Sequence, residues 1–318
     1  MMSSEIIALK NSLQQAIIGQ PQLLEKLLIA LITEGHVLIE GPPGLAKTTT
    51  VRLLAEAIDL RFQRIQFTPD LIPGDITGTE IFHAPSARFE FSPGPIFHEI
   101  ILADEINRAP PKVQAALLEA MQEKQVTVGG QTHPLPELFF VCATQNPIEH
   151  EGTYPLPEAQ LDRFLIKIPV DYPSLEDELE ILRRAQEPRP TPLPGPAPLV
   201  TRDVLLNARR AAAQVYLDEM LQRYIVRLTG ATREPATVSD ELVPLLDRGA
   251  SPRASLALAR CAKARALLHQ RDFVEPGDIM DLVPYVFMHR IALSFAARAD
   301  GVSHRSVLDR IVDLVPVP

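Results

Sequence analysis

The octapeptide Gly41-Pro42-Pro43-Gly44-Leu45-Ala46-Lys47-Thr48 lies between an apolar run at residues 36–40 and an amphipathic stretch at 49–58. This order predicts a strand, a glycine-rich loop and a helix, the context in which such loops bind phosphate. Backbone N–H groups of the loop form an anion site, Lys47 can reach the outer phosphates, and the Thr48 hydroxyl can ligate Mg²⁺. We therefore predict a nucleoside triphosphate-binding protein.

Ala46 departs from the usual pattern of this loop, which has a second glycine at that position. Because a methyl group disfavours positive φ, we expect the loop to tolerate Ala46 only if this residue keeps a negative φ. The predicted strand and helix on either side compensate for the departure. Four apolar residues of the helix follow the i, i+3, i+4, i+7 spacing that lays one face on a sheet: Val51, Leu54, Ala55 and Ile58.

The composition is that of an ordinary globular protein, with 318 residues of which 46% are hydrophobic and 22% are charged. No apolar run approaches the roughly 20 residues of a bilayer span, and residues 1–10 lack a signal-peptide layout, so we expect a cytoplasmic protein. Cys142 and Cys261 have no partner at metal-ligand or redox spacing, which predicts buried thiols. The net charge of −9 disfavours a nucleic-acid binder, although a local basic groove stays open.

Short apolar runs alternate with helical patterns up to residue 186. Five runs are candidate strands: 36–40, 62–67, 99–103, 138–143 and 165–170. The helices between them predict an α/β fold with a mostly parallel sheet that is covered on both faces. Ligands of such sheets bind beyond the carboxyl ends of the strands, where the phosphate loop, Asp104 and Asn146 all lie.

A domain boundary is predicted at residues 187–198, whose six prolines and one glycine are typical of a stiff, extended connector. Residues 1–186 then form a nucleotide-binding core, and residues 199–318 form a second domain with helical patterns throughout. Its candidate helices are 201–215, 219–229, 240–248, 252–269 and 276–287. Two stretches of the core are candidate insertions, the Pro/Gly-rich segment 68–97 and the segment 125–138, in which Gly129-Gly130 predicts a hairpin turn.

An acidic pair, Asp104-Glu105, ends the buried run at 100–103. Asp104 can hold Mg²⁺ through water, and Glu105 can orient and deprotonate an attacking water, so the pair favours hydrolysis over transfer to a small molecule. A solvated strand terminus is the structural alternative. The next run ends in Asn146, whose neutral amide can bind the water or the γ-phosphate without pairing with Glu105. No Asn/Thr-Lys-x-Asp segment that would read guanine occurs, so we expect ATP.

Taken together, these motifs and the helical second domain resemble the AAA+ ATPases, and the finer similarity is to the MoxR family. Four segments carry the resemblance: GPPGLAKT at 41–48, DEINRAP at 104–110, ATQNP at 143–147 and LPEAQLDRF at 156–164. Ala46 is common in the loop of that family. The resemblance covers essentially the whole chain and implies a P-loop AAA+ core followed by a small α-helical lid domain.

The resemblance also implies roles for individual residues. Asn146 looks like sensor 1, Arg163 like the arginine finger and Arg253 like sensor 2. An arginine finger stabilises charge on the transferring phosphoryl group and is commonly supplied by a neighbouring subunit, so a homo-oligomer is implied, in this family a hexameric ring. A salt bridge from Arg163 to Asp162 or Glu158 is the structural alternative.

Further positions follow from the same resemblance. Ile18-Gly19-Gln20 is similar to the segment whose backbone reads adenine, and Arg108 is a second candidate for a cation that acts between subunits. The two insertions match those that face the central channel of related rings. On that ground Ile76, Phe82 and Phe91 are candidate substrate contacts, with core packing as an equally good interpretation.

The resulting hypothesis is a Mg²⁺-dependent ATPase that remodels or matures partner proteins, as chaperones do. MoxR-like proteins are associated with metal-cofactor insertion and with a partner that carries a von Willebrand factor A domain. Two alternatives use the same hydrolytic apparatus. A nucleic-acid-translocating motor is disfavoured by the acidic net charge. A metal-chelatase motor subunit has a similar core, so the identity of the client, and not this sequence, distinguishes it from the leading hypothesis.

Overall fold

The computed structural model describes residues 2–85, 87–146, 152–186 and 200–318. The predicted connector at 187–198 and Pro147 lie outside these residues, so the domain boundary placed at the connector stays a prediction. None of the described helices combines the length and the apolar character that a membrane span needs.

The secondary structure alternates between strands and helices in the first half of the chain. The strands are β1 (Val37–Glu40), β2 (Phe62–Gln66), β3 (Gly78–His83), β4 (Arg88–Pro93), β5 (Ile100–Asp104), β6 (Gln125–Val128), β7 (Gln131–Pro134), β8 (Phe140–Gln145), β9 (Ile166–Pro169), β10 (Leu246–Arg248) and β11 (Ala292–Leu293). The α-helices are α1 (Met2–Ala16), α2 (Pro21–Ile32), α3 (Lys47–Ala57), α4 (Pro73–Thr77), α5 (Pro111–Glu123), α6 (Glu158–Leu161), α7 (Leu175–Gln186), α8 (Arg202–Gln214), α9 (Glu219–Arg233), α10 (Pro252–Leu268), α11 (Pro276–Met280), α12 (Val283–Phe287), α13 (Phe295–Ala299) and α14 (His304–Leu314).

The central element is a five-stranded parallel sheet in the order β2-β5-β8-β1-β9. All five predicted strands are confirmed, although β2, at the edge of the sheet, has only Ile65 buried. The interior strands are almost wholly buried, as expected where helices cover both faces. Parallel pairing brings the carboxyl ends of β1, β5 and β8 to the same edge, so the three predicted loops converge there.

The C-terminal region is largely helical, but two predicted helices differ from the structure. Residues 240–248 form a 3₁₀ helix, Asp240–Leu245, followed by β10, which pairs antiparallel with β11. Pro244 lies inside this segment and lacks the N–H that an α-helix would need there. The helix predicted over 276–287 is divided into α11 and α12, with Pro284 in the first turn of α12.

Both predicted insertions contain a β-hairpin, β3–β4 in the first and β6–β7 in the second. Gly129 and Gly130 form the second turn with φ of 57° and 79°, which explains the need for glycine. The hairpins contact each other through the rings of Phe91 and His133, whose centroids are 3.8 Å apart. Ile76 is fully buried, so its assignment as a substrate contact is wrong.

The N-terminal helices connect the sheet to the C-terminal helices, since α1 and α2 both pack against α8 and α10. Both cysteines are free and fully buried, as predicted. Burial raises the pKa of the Cys261 thiol to about 12, so this thiol stays protonated at neutral pH.

Candidate functional site

The loops after β1, β5 and β8 line one cleft of about 380 Å³. The cleft brings together predicted residues from all three loops: Lys47, Thr48, Asp104, Glu105 and Asn146. These residues lie up to about a hundred positions apart in the chain, and the shared edge of the parallel sheet explains why they meet.

The phosphate loop closes tightly over the end of β1. A side chain at Gly41 would place its Cβ 2.4 Å from the carbonyl oxygen of Val170, so a glycine is required at this close approach. The Nζ of Lys47 donates a hydrogen bond to the carbonyl of Gly41 at 2.7 Å. Burial lowers the pKa of Lys47, and the carboxylates of Asp104 and Glu105 act in the opposite direction.

Ala46 adopts a left-handed conformation, with φ of 54° and ψ of 15°. The expectation of a negative φ at this residue is therefore wrong. Ala46 is the N-cap residue of α3, which begins at Lys47, so the left-handed conformation lies where the loop passes into the helix. A non-glycine residue in this conformation costs about 1–2 kcal/mol.

Thr144 at the end of β8 links the two acidic residues. Its Oγ1 donates a hydrogen bond to Oδ1 of Asp104 at 2.6 Å and accepts one from the backbone N–H of Glu105 at 2.9 Å. Glu105 itself is left-handed, with φ of 57° and ψ of 51°. The sharp turn directs consecutive carboxylates from one strand end into the same cleft.

The Glu105 carboxylate has two partners on the same chain. Gln66 Nε2 donates to Oε2 at 2.8 Å, and Arg108 Nη1 lies 3.1 Å from the same oxygen. The structure therefore brings Arg108, predicted as an intersubunit candidate, into contact with the acidic pair of its own chain. Gln66 was not predicted, although its place at the carboxyl end of β2, directly paired in register with Asp104 of β5, was a usable signal.

Arg64 is a second residue of this cleft that sequence reasoning missed. Its guanidinium donates to Oδ2 of Asp104 from Nε at 2.9 Å and from Nη2 at 2.7 Å, and Nη2 also contacts Oε1 of Gln66 at 2.6 Å. Arg64 and Gln66 are two positions apart on β2, so they lie on the same face of the strand. The alternation of side chains along a strand was therefore the signal that could have placed Arg64 beside Gln66 from the sequence.

The oxygen donors in the cleft are suited to Mg²⁺. The Thr48 hydroxyl and the Asp104 carboxylate are hard ligands, and Mg²⁺ commonly takes one or two protein ligands together with water and phosphate. The described residues contain no cluster of three or more His, Cys, Asp or Glu side chains that would form a complete protein cage for a metal. This donor set fits a metal that arrives with a nucleotide.

A second cavity of about 280 Å³ adjoins the loop on its other side. It is mainly apolar and is lined by Ile17, Ile18, Gln20, Leu45, Pro173 and Ile181. Gly19 lies between two of these residues with φ of 74°, and a Cβ added there would lie 3.3 Å from the side chain of Asp177. The predicted adenine-side segment is thus adjacent to the phosphate loop, where a flat apolar base could lie.

Arg163 and Arg253 lie outside the cleft that contains the phosphate loop and the acidic pair. Both line a cavity of about 1070 Å³ at the amino ends of β1 and β9, and neither lines the phosphate cleft. The carboxylate of Asp162 is engaged by Arg290 at 2.7 Å and by Arg253 at 3.5 Å, while Glu158 pairs with Arg248. Within the described ranges Arg163 has no ion pair, so the salt bridges considered for it are not observed.

Comparisons with known proteins agree with this architecture. The model of the "ATPase family associated with various cellular activities (AAA)" matches residues 36–166, and that of the AAA lid domain matches residues 244–311. The chain is 46% identical over 321 residues to Chaperone MoxR1 of Mycobacterium tuberculosis, covering 100% of this chain and 84% of the relative. It is 44% identical over 306 residues to the uncharacterized YeaC of Bacillus subtilis, covering 96% of this chain and 92% of the relative. A crystal structure of a candidate ATPase from Cytophaga hutchinsonii superposes with a TM-score of 0.91 at 44% identity, covering 100% of this chain and 96% of the chain in that structure.

Proposed function

The chain belongs to the MoxR family of AAA+ ATPases, and on that premise we propose that it hydrolyses Mg²⁺-ATP at a site completed by a neighbouring copy. The hydrolysis drives chaperone-like remodelling or maturation of a partner protein in the cytoplasm. One observation carries the proposal. The phosphate loop and the acidic pair share a cleft, whereas both candidate catalytic arginines lie at the opposite end of the sheet.

Each residue of the cleft has a distinct task in the proposed reaction. The loop from Gly41 to Thr48 binds the phosphates, with Lys47 placing a cation against the outer ones. The Thr48 hydroxyl and, through water, the Asp104 carboxylate would hold Mg²⁺, which would supply positive charge to the phosphate oxygens. Glu105 accepts the proton of the attacking water, and the Asn146 amide orients that water or the γ-phosphate.

The remaining charge stabilisation comes from the next copy in a ring, which we propose is a hexamer. AAA+ proteins are generally oligomeric. Arg163 and Arg253 line one surface cavity, so a single contact with a neighbour would deliver both guanidinium groups to its nucleotide. We assign sensor 2 to Arg253 on this basis, with its target in the adjacent subunit rather than in its own cleft.

The exposed tip of the first hairpin is a candidate contact for the client. Ile81, Phe82 and Phe89 are each more than half exposed, with 53%, 54% and 67% of their surface accessible. Phe82 and Phe89 are cross-strand partners whose ring centroids are 5.3 Å apart, and an exposed apolar pair of this kind favours contact with an unfolded or apolar protein segment. A partner with a von Willebrand factor A domain and the insertion of a metal cofactor are further parts of the proposal that rest on family membership.

The proposal is tested by Glu105→Gln. This change removes the proton acceptor but keeps the side-chain shape, so we expect nucleotide affinity within about threefold of the parent protein and at least ~100-fold slower hydrolysis. Glu119→Gln is the matched control, since Glu119 is exposed on α5 outside the cleft. Hydrolysis by Glu105→Gln at the rate of the control would remove Glu105 as the base.

A further inference from the structure

Both oxygens of the Asp104 carboxylate accept hydrogen bonds from protein groups in this structure. Thr144 donates to Oδ1 at 2.6 Å, and the Arg64 guanidinium donates twice to Oδ2 at 2.7 and 2.9 Å. The Asp104 side chain is only 14% exposed, whereas that of Arg64 is 50% exposed. The carboxylate is therefore fixed by its surroundings, and the guanidinium is the partner that is free to leave.

The position of Arg64 conflicts with the role assigned to Asp104. A water molecule of the Mg²⁺ shell must hydrogen-bond to the same carboxylate that Arg64 now occupies. The guanidinium and the hydrated metal are both cations, so their presence at one carboxylate oxygen is disfavoured by charge as well as by space.

We infer that Arg64 is an internal counter-cation of the metal-binding carboxylate, and that it is displaced when Mg²⁺ and nucleotide bind together. This inference rests on the proposed function of the cleft. Before binding, Arg64 neutralises Asp104 and lowers the affinity of the protein for Mg²⁺ alone. After displacement, its guanidinium is still in the cleft that holds the phosphate loop, where its planar donor fork matches phosphate oxygens.

Replacement of the Arg64 guanidinium by hydrated Mg²⁺ at Asp104 is energetically feasible because a half-exposed ion pair is weak. Water already screens Arg64, and its guanidinium can be rehydrated when it leaves Asp104. Gln66 also contacts Arg64, through Oε1, and holds Glu105 through Nε2. Displacement of Arg64 therefore removes one of the contacts that fix Gln66 against the catalytic base.

The test is the Mg²⁺ dependence of nucleotide binding, measured with the full chain and N-methylanthraniloyl-ADP fluorescence. In Arg64→Met we expect the Mg²⁺ concentration for half-maximal enhancement of binding to fall about 2- to 5-fold, since the competing cation is lost. Binding without Mg²⁺ should weaken, because the phosphates lose a nearby cation. Arg64→Lys, which keeps the charge, should restore most of the parental Mg²⁺ requirement.

Arg61→Met is the matched control. Arg61 lies just before β2 and forms a similar two-bond pair, with Glu99, outside the cleft. An unchanged Mg²⁺ requirement in Arg64→Met, or an equal shift in Arg61→Met, overturns the inference. If Arg64→Met does not fold, Arg64→Gln is measured against the same two outcomes. Failure of the parent protein to bind the nucleotide at any Mg²⁺ concentration overturns the proposed function itself, and the role of Arg64 with it.

Discussion

At the scale of single residues, the candidate site depends on two left-handed residues that are not glycine. Ala46 precedes α3 with φ of 54°, and Glu105 follows β5 with φ of 57°. Strain of this kind is found where a fold must hold functional groups in one orientation. Here it directs the backbone of the phosphate loop and the carboxylate of the proposed base into the same cleft.

The sequence could predict several of the residues that line the cleft but not these conformations. Lys47, Asp104 and Asn146 each follow an apolar run, and parallel strands end at one edge, so their convergence was predictable. The backbone angle of Ala46 was not predictable, because its positive φ contradicts the preference of alanine and is imposed by the surrounding loop. Arg64 and Gln66 were missed because polar residues on an edge strand are ordinary.

The strain at Ala46 predicts that Ala46→Gly stabilises the protein. Relief of ~1–2 kcal/mol of left-handed strain exceeds the ~0.5–1 kcal/mol by which glycine favours the unfolded chain. We therefore expect a gain of about 0.5–1 kcal/mol in the free energy of unfolding, measured by urea denaturation. Ala115→Gly, at an exposed position of α5, should instead lose about 1 kcal/mol. Equal losses in the two variants would contradict the strain at Ala46.

At the scale of elements, the strands were easier to predict than the helices. The three interior strands are buried apolar runs bounded by polar residues, a signal that survives without tertiary information. The region around Pro244 has helical composition, but its 3₁₀ helix is followed by β10, which pairs with β11 from 46 residues further along. Such a pairing depends on how distant segments pack, so it cannot be predicted from the local periodicity of the sequence.

The two hairpins contact each other, and the Phe91–His133 stack is one of these contacts. The rings are nearly parallel, with an interplanar angle of 15°. Removal of the imidazole in His133→Ala should cost about 0.5–1.5 kcal/mol of local stability. Because the sheet does not depend on this contact, the loss should appear as faster amide hydrogen exchange in both hairpins, with little change in the global unfolding transition.

Gln131→Ala is a suitable comparison for this change, since Gln131 is exposed on the same strand, β7. Its exchange rates should match those of the parent protein in both hairpins. Faster exchange confined to β6–β7 in His133→Ala would mean that the two insertions are independent, contrary to the packing described above.

At the scale of the whole molecule, the C-terminal helices fix the surface that carries Arg163. Arg290, which follows α12, is buried and donates to the Asp162 carboxylate at 2.7 Å and to the Phe164 carbonyl at 2.7 Å. His289 contacts the same Phe164 carbonyl at 2.9 Å. The segment on either side of Arg163 is thus held by residues more than 120 positions away, a contact that sequence spacing could not predict.

The opposite placement of cleft and arginines leads to a prediction about mixed rings. Arg163→Ala should slow hydrolysis by ~10³–10⁵-fold, as expected for loss of an arginine finger. Glu105→Gln is also inactive in the proposed mechanism. In an equimolar mixture, however, an Arg163→Ala subunit that keeps Glu105 can meet a Glu105→Gln subunit that keeps Arg163. A head-to-tail interface drawn at random is then complete in about a quarter of cases, so the mixture should recover about a quarter of the parental rate.

The measurement is steady-state phosphate release after the two variants have been mixed and allowed to exchange subunits. The control mixes Arg163→Ala with the double variant Arg163→Ala/Glu105→Gln, in which every interface lacks the arginine, so no recovery is expected. If Arg163 acted on the nucleotide of its own chain, each subunit of the first mixture would carry one defect and the mixture would stay inactive. Recovery in the first mixture and not in the second therefore distinguishes a shared site from one contained in a single chain, because only the former lets two defective subunits complement each other.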